Sequence, residues 1–199
     1  MGIIAVFGGT FNPIHIGHSE IISCLSKQSN IEKIIIIPTK IPPHKEANLL
    51  ADSIHRYNMC AIIASDYDNV VVSNIELNRE GKSYTIDTIS SLKSEYKNNK
   101  IALTIGGDML VSFKKWKNYK EILSNCILFT FNRAGISCEE YQNAIISLKT
   151  EGAEIHSLDV QITDISSTKI RNDLTSEGEC EFLDKRIRDY ILKNMLYGV

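Results

Sequence analysis

Apolar positions along the chain fall into two patterns that alternate from one end to the other. Short runs rich in β-branched residues predict buried strands at residues 2–6, 33–38, 69–73, 101–105, 126–131 and 154–158. Between them, apolar residues recur at helical spacing, and the longest predicted helices span residues 52–65, 83–96, 139–148 and 184–195. In the first of these helices, the predicted inward positions are Ile54, Met59, Ile62 and Ile63.

Strands that alternate with helices, joined by right-handed crossovers, predict an α/β fold with a doubly wound parallel sheet. We find no internal repeat, low-complexity segment or dividing linker, so residues 1–199 are predicted to form a single domain.

Composition narrows the class of protein. The 199 residues are 43% hydrophobic and 23% charged, as in ordinary globular proteins, and the formal net charge is -2. That charge gives no general affinity for nucleic acid or for an anionic membrane, so phosphate binding must come from a local site. No apolar run is long enough to span a membrane, and the first residues lack the basic segment of a signal peptide.

The five cysteines are an odd set without a C-x-x-C pair: Cys24, Cys60, Cys126, Cys138 and Cys180. We therefore expect reduced thiols in a cytoplasmic protein, without a zinc site and with the first three thiols in the core. The sequence leaves the oligomeric state open, a homo-oligomer included.

The loop after the first strand combines features of a phosphate site. Gly8 and Gly9 let backbone N–H groups approach an anion closely, and a helix follows the loop. His15 and His18 are three residues apart, so they share a face if that helix begins near His15. Beside the positive end of a helix, two imidazoles suit a phosphate whose charge grows in a transition state. For either histidine alone, a capping role at the helix start is the alternative.

The whole loop, Gly-Gly-Thr-Phe-Asn-Pro-Ile-His-Ile-Gly-His at residues 8–18, resembles the (H/T)-x-G-H motif of the nucleotidyltransferase superfamily. Its form is similar to that of the bacterial nicotinate-nucleotide adenylyltransferases. The resemblance implies a Rossmann-like nucleotidyltransferase fold and an ATP site that includes Gly8, Gly9, Thr10, Phe11, His15 and His18. Many relatives have Asp where this chain has Asn12, and we expect Asn12→Asp to be tolerated because Asn lacks only the charge.

A second motif, Ile-Ser-Ser-Thr-Lys-Ile-Arg, occupies residues 165–171. Hydroxyl groups at a helix start, with the Arg171 guanidinium one turn beyond Ser167 and Thr168, form a candidate anion site. A simple N-cap is the alternative. The motif is similar to the second signature of the superfamily, which implies that these three residues contact the ATP phosphates.

Pro-Pro-His-Lys at residues 42–45 leaves the carboxyl end of the second predicted strand, where open α/β sheets bind ligands. The family resemblance implies that His44 and Lys45 bind substrate, while a solvent-exposed linker is the alternative. We predict that residues 40–49 form a mobile lid. Farther along, Tyr84 and Thr85 lie at a helix start for which Ser83 is the predicted N-cap. The resemblance implies that this pair lies at the pyridine carboxylate of a mononucleotide.

Gly106 and Asp108 follow the fourth predicted strand. Asp108 either accepts hydrogen bonds from ribose hydroxyls, as the resemblance implies, or caps the next helix. Trp116, the only tryptophan, is either a half-buried surface anchor or, as in the family, a platform that stacks on the pyridine ring. Arg133 is expected to be an ordinary surface charge rather than a phosphate ligand.

The resemblance implies adenylyl transfer from ATP to nicotinate mononucleotide, which gives deamido-NAD and pyrophosphate in NAD biosynthesis. The attacking phosphate is already a nucleophile, so catalysis consists of positioning and charge stabilisation, with His15, His18 and Arg171 as the catalytic residues. Mg²⁺ is expected to bind mainly through the ATP phosphates, without a dedicated set of protein ligands.

Three alternatives remain at this point. The acceptor could be nicotinamide mononucleotide or phosphopantetheine, although His15 in place of Thr argues against the latter. His-Ile-Gly-His at residues 15–18 also spells the class I aminoacyl-tRNA synthetase signature, but the chain has no Lys-Met-Ser-Lys-Ser motif and no basic excess. A non-catalytic nucleotide-binding protein is the third alternative.

Overall fold

The computed structural model describes residues 2–40, 50–133, 135–177 and 180–199. Within these residues the strands are β1 (Ile3–Gly9), β2 (Ile31–Pro38), β3 (Val70–Val72), β4 (Lys100–Gly106), β5 (Ile127–Phe131) and β6 (Ile155–Ser157). The helices are α1 (Ile16–Ser26), α2 (Ser53–Ala64), α3 (Thr85–Glu95), α4 (Gly107–Val111), α5 (Tyr119–Asn125), α6 (Cys138–Lys149), α7 (Ser167–Glu177) and α8 (Lys185–Lys193). Two 3₁₀ turns cover Phe113–Lys115 and Leu196–Gly198.

The six strands form one parallel sheet in the order β3-β2-β1-β4-β5-β6. The chain builds outward from β1 to β2 and β3, then crosses back to place β4 on the other side of β1. The predicted α/β fold with a doubly wound parallel sheet is therefore confirmed. The change of direction leaves a topological switch point between β1 and β4, where open sheets of this kind bind ligands.

Helices cover both faces of the sheet because its strands are apolar on both sides. In β1, Ala5 and Phe7 belong to the core beneath α1, α2, α7 and α8, whereas Ile4 and Val6 belong to the core beneath α3 to α6. This alternation follows from the two-residue period of a strand. The sheet therefore supplies a rigid platform whose loops at the carboxyl ends of the strands are held from both faces.

Three local expectations were wrong. Ile54 is 55% exposed rather than inward, because α2 turns Arg56, Met59, Cys60 and Ile63 toward the sheet instead. Cys24 is only half-buried, although Cys60 and Cys126 lie in the core as expected, and all five cysteines are free thiols.

The expected cap of α3 was also wrong. The N-cap position of this helix is Tyr84, which makes no side-chain cap hydrogen bond. The Ser83 hydroxyl instead donates to the backbone oxygen of Glu76 at 3.4 Å. Ser83 therefore holds the preceding loop rather than the first turn of the helix.

After α8, the end of the chain packs against the loop that follows β1. The 3₁₀ turn Leu196–Gly198 follows α8, and Met195 and Tyr197 have left-handed backbone conformations, with φ of 50° and 63°. Non-glycine residues adopt this region infrequently, and tertiary packing can stabilise them in it. Tyr197 is buried, with 8% of its surface exposed, so the packing of its ring stabilises this backbone conformation.

Candidate active site

The candidate site lies at the carboxyl edge of the sheet, around the switch point. β1 pairs in parallel with both β2 and β4, so the loops that leave Gly9, Pro38 and Gly106 emerge side by side. The backbone N–H of Thr39 donates to Gly9 O at 2.9 Å and fastens two of these loops together. The phosphate motif predicted from the sequence therefore meets segments from both halves of the sheet.

The loop after β1 turns sharply at Phe11, a bulky residue with φ of 48°. Its ring is 2% exposed and packs edge-on against Phe7, at a centroid distance of 5.5 Å, and against His18, at 5.1 Å. An ideal Cβ built on Gly9 would lie 2.8 Å from Phe11 Cζ, so the ring occupies the space that a side chain at Gly9 would need. Gly8 has no such neighbour, because the nearest atom to an ideal Cβ built on it is Ile37 O at 4.0 Å.

His15 and His18 come together at the start of α1. His15 occupies the N-cap position and is 7% exposed, while His18 is half-buried, and their ring centroids lie 3.8 Å apart. The backbone N–H of His15 donates to His18 Nδ1 at 3.2 Å. A neutral His18 that accepts at Nδ1 carries its proton on Nε2.

The second motif is attached directly to the first loop. Ser167 Oγ donates to Pro13 O at 3.0 Å, and Arg171 Nη1 donates to Asn12 O at 2.8 Å. Arg171 Nη2 also donates to Thr168 Oγ1 at 3.3 Å, which places that exposed hydroxyl beside the guanidinium. Two motifs more than 150 residues apart in sequence therefore form one cluster.

Asn12 directs its side chain into the protein. It is 5% exposed, and Oδ1 accepts hydrogen bonds from the backbone N–H of Ala51 at 3.0 Å and from the Tyr197 hydroxyl at 2.9 Å. This oxygen therefore connects the loop after β1 to the segment before α2 and to the C-terminal 3₁₀ turn. Burial raises the pKa of the Tyr197 hydroxyl well above its usual range, so Tyr197 stays a donor.

Arg56 is a second interior contact of this loop, and the sequence analysis missed it. The side chain is 0% exposed, and its guanidinium donates to four backbone oxygens: Thr10 O at 2.8 Å, Thr39 O at 2.7 Å, Lys40 O at 3.1 Å and Ala51 O at 3.0 Å. Helical spacing from Met59 and Cys60 places Arg56 on the apolar face of α2. A cation on an apolar face was the signal that could have identified it.

The segment around Tyr84 lies next to the segment around Trp116. Tyr84 is 38% exposed, and Lys117 Nζ lies 4.0 Å from the centroid of its ring. Trp116 is half-buried, with its ring centroid 4.9 Å from that of Phe113. Thr85 is the first residue of α3, so its backbone N–H is among those without an intrahelical partner.

Asp108 lies in the first turn of α4, whose N-cap position is taken by Gly106. Its carboxylate forms an ion pair with Arg133, with Oδ2 2.6 Å from Nη2. An ideal Cβ on Gly106 would lie 2.7 Å from Asp108 Oδ1, so the carboxylate occupies the space that a side chain at Gly106 would need. Arg133 is exposed, as expected of a surface charge, and in addition it has a specific partner in Asp108.

The loop before α3 contains a half-buried carboxyl group, that of Glu76. The Thr88 hydroxyl donates to Glu76 Oε1 at 2.9 Å, and Arg79 Nη1 donates to Thr88 Oγ1 at 3.0 Å. Burial, the main cause, raises the pKa of Glu76 above its ordinary value. Lys40 Nζ donates to Arg79 O at 2.9 Å, which joins the end of β2 to this loop.

His44 and Lys45, and most of the lid predicted at residues 40–49, lie outside the described residues. Within the described ranges, no group of three or more His, Cys, Asp or Glu side chains is arranged to hold a metal ion. In the same part of the chain, no helix is long and apolar enough to cross a membrane.

The chain is similar in sequence to known proteins over nearly its whole length. The profile of the Cytidylyltransferase-like family matches residues 6–173. A probable nicotinate-nucleotide adenylyltransferase of Fusobacterium nucleatum is 39% identical over 195 residues, which cover 97% of this chain and 98% of that protein. Its counterpart in Carboxydothermus hydrogenoformans is 33% identical over 196 residues, or 98% of this chain and 97% of that protein.

Among solved structures, the Plasmodium falciparum nicotinic acid mononucleotide adenylyltransferase complexed with NaAD superimposes with a TM-score of 0.83. The superposition covers 99% of this chain and 98% of that one at 20% sequence identity, so it is a likeness of fold.

Proposed function

The chain belongs to the nicotinate-nucleotide adenylyltransferases within the cytidylyltransferase-like family, and we propose how its residues divide the work of that reaction. The enzyme transfers the adenylyl group of ATP to nicotinate mononucleotide and releases deamido-NAD and pyrophosphate. In this proposal, all 199 residues act as one domain. ATP binds to the loop after β1 and the start of α7, and the mononucleotide binds to the α3 and Trp116 side.

The observation that carries the proposal is the attachment of the α7 start to the loop after β1. Ser167 and Arg171 donate to two consecutive backbone oxygens of that loop, so hydroxyl, guanidinium and imidazole donors share one small region. Convergent donors of this kind stabilise charge that builds on a transferring phosphoryl group. Gly8 adds a stretch of backbone without a nearby side chain, which leaves space for a bulky anion.

In this proposal each donor has its own role. His18 directs Nε2–H at the α-phosphate as the mononucleotide phosphate attacks, and His15 supports the adjacent phosphates. Arg171 and Thr168 hold the pyrophosphate as it leaves, with Ser167, Gly9, Thr10 and Phe11 shaping the loop around the nucleotide. No general base is needed, since the attacking phosphate is already ionised. Positioning and charge stabilisation provide the rate enhancement.

The nicotinate end binds near the start of α3. Thr85 presents a helix N-terminal amide that suits a carboxylate, and Trp116 provides an aromatic face for the pyridine ring. Tyr84 borders the same region, with Lys117 over its ring. Gly106 and Asp108 contact ribose, and His44 and Lys45 complete the mononucleotide site. This arrangement favours the acid over nicotinamide mononucleotide.

Nucleotidyltransferases of this kind generally use a divalent metal with ATP, and we assign Mg²⁺ to that role. The donor set fits a metal carried by the nucleotide, because Asp108 is paired with Arg133 and the Asn12 oxygen faces two internal donors. Mg²⁺ would neutralise phosphate charge, while the protein residues bind and orient the nucleotide. We assign the enzyme to the cytoplasm and expect neither nucleic acid nor membrane as a partner.

Pyrophosphate release from Mg·ATP tests the proposal directly. Nicotinate mononucleotide, nicotinamide mononucleotide and phosphopantetheine are supplied in parallel, and we expect strong preference for the first. Preference for nicotinamide mononucleotide would refute the proposed carboxylate site at the start of α3. The absence of turnover with all three acceptors would refute the enzymatic assignment. His18→Ala should lower kcat by about 10²- to 10³-fold, the usual effect of removing one preorganised donor.

A further inference from the structure

The most unusual charge in the described structure is the guanidinium of Arg56. It is 0% exposed, yet no carboxylate among the described residues lies within ion-pair distance. A buried cation normally needs an anionic partner, because desolvation penalises its charged form. Here, four backbone oxygens replace the anion. Burial lowers the pKa of Arg56, but an arginine stays protonated inside a protein.

The four oxygens belong to the ATP loop itself and to two neighbouring segments. Thr10 O lies in the loop after β1, Thr39 O and Lys40 O follow the end of β2, and Ala51 O precedes α2. Only a planar fork with several donors can reach acceptors spread over three segments. Arg56 therefore sets the mutual position of these segments from within the protein.

Holding a carbonyl also orients the next amide. The peptide between Thr10 and Phe11 is trans, so its C=O and N–H point in opposite directions. Because Thr10 O is directed at Arg56, the N–H of Phe11 is directed away from it. The same reasoning applies to the peptide that follows Thr39, whose oxygen accepts at 2.7 Å.

We propose that Arg56 is a positioning residue for ATP, which turns the amides of the loop after β1 outward and contributes a permanent positive charge beneath the triphosphate. The proposal rests on the assignment of this loop to ATP under the proposed function. Arg56 touches neither substrate and acts through the backbone of Thr10 and Thr39 and through its field. That field is effective because charge in a low-dielectric interior is weakly screened.

The test separates charge from structure by comparing ATP with adenosine, which lacks phosphate. Wild type, Arg56→Met and Arg56→Lys are titrated calorimetrically with each ligand, with nicotinate mononucleotide left out so that no turnover occurs. We expect Arg56→Met to weaken ATP binding at least tenfold and adenosine binding less than threefold. Arg56→Lys should recover part of the loss, because it keeps the charge but not the fork.

Met59→Ala is the matched control. Met59 is 0% exposed, lies one turn farther along α2, and packs in the same core as α1 without contacting the ATP loop through hydrogen bonds. Its truncation destabilises the fold through a cavity and should leave ATP affinity within threefold of wild type. Equal weakening of ATP and adenosine in Arg56→Met, or a loss of ATP affinity in Met59→Ala as large as in Arg56→Met, would overturn the positioning role.

A wild-type measurement keeps the proposal testable if the Arg56 variants do not fold. The guanidinium Nε–H signal of Arg56, assigned through bonds by ¹⁵N NMR, should shift on addition of ATP and stay in place with adenosine. An unchanged signal at saturating ATP would contradict the coupling. Failure of wild type to bind ATP or to release pyrophosphate would instead reject the proposed function, so the two failures are distinguishable.

Discussion

Gly9 offers a sharp test of how the loop after β1 supports His18. In Gly9→Ala, the new Cβ would lie 2.8 Å from Phe11 Cζ and 3.0 and 3.1 Å from the two Cε atoms. The ring cannot move freely, because it is 2% exposed and packs on both Phe7 and His18. Overpacking of this kind costs about 1–3 kcal/mol, and the reduced entropy of the unfolded chain returns about 0.4–1 kcal/mol.

The midpoints of these two ranges give a net loss of about 1.3 kcal/mol, which should lower Tm by roughly 3–5 °C for a chain of this size. Gly8→Ala is the matched control, because the nearest atom to its ideal Cβ lies 4.0 Å away, and the entropy gain alone should raise its Tm by roughly 1–4 °C. Both values come from thermal unfolding followed by circular dichroism.

The kinetic constants of Gly9→Ala and Gly8→Ala should also differ from each other. Gly9→Ala displaces the Phe11 ring, which contacts His18 at a centroid distance of 5.1 Å, so kcat should fall about tenfold or more. Gly8→Ala adds a methyl group to the open backbone and should mainly raise KM for ATP. The smaller side chain of Phe11→Leu should restore part of the stability lost in Gly9→Ala, as a double-mutant cycle would measure. An unchanged Tm in Gly9→Ala, or no coupling in the cycle, would refute this account of the loop.

Three further predictions concern the interior of the site. Asn12→Asp should keep kcat within tenfold of wild type in the pyrophosphate assay, because a carboxylate also accepts from Ala51 N–H and the Tyr197 hydroxyl; a hundredfold loss would contradict this. Tyr197→Phe should lower the urea-unfolding free energy by about 1 kcal/mol, the net value of one hydrogen bond, and no loss would show that the bond is not formed in solution. The raised pKa of Glu76 means that its contribution to stability is full below about 4.5, its ordinary value, and declines as the pH rises through the folded-state pKa. The unfolding free energy of wild type, measured relative to that of Glu76→Gln, should therefore be lower at pH 7 than at pH 4.5. The same difference at both pH values would refute the effect.

Much of the fold could be predicted because each strand is locally consistent. The run from Ile34 to Ile37 is apolar on both faces, as a buried parallel strand requires, and the order of strands and helices leaves few topologies. The contact between the His15 and His18 rings could also be predicted from local sequence, because their spacing at the start of a helix places them on one face. Assignment of either histidine to a phosphate remains a prediction.

The features that sequence reasoning missed depend on contacts between distant segments. The partners of Arg56 are backbone oxygens, which carry no sequence signal of their own. The inward direction of Asn12 depends on Tyr197, which lies 185 positions later. The cap expected from Ser83 failed for a similar reason, because Glu76 O competes for the same hydroxyl. Local patterns predict elements, whereas these choices are made in tertiary packing.

The contact between Asn12 and Tyr197 also bears on how the enzyme is made. Its loop after β1 is synthesised early, yet three of its hydrogen bonds come from residues that follow 154, 159 and 185 positions later. These partners are synthesised last, so the loop can reach its final conformation only when translation is nearly complete. A polypeptide that stops short of Tyr197 would carry every strand of the sheet and still lack one support of its ATP loop. Premature termination before Tyr197 should therefore yield fragments that retain the sheet sequence but bind ATP more weakly than the full chain.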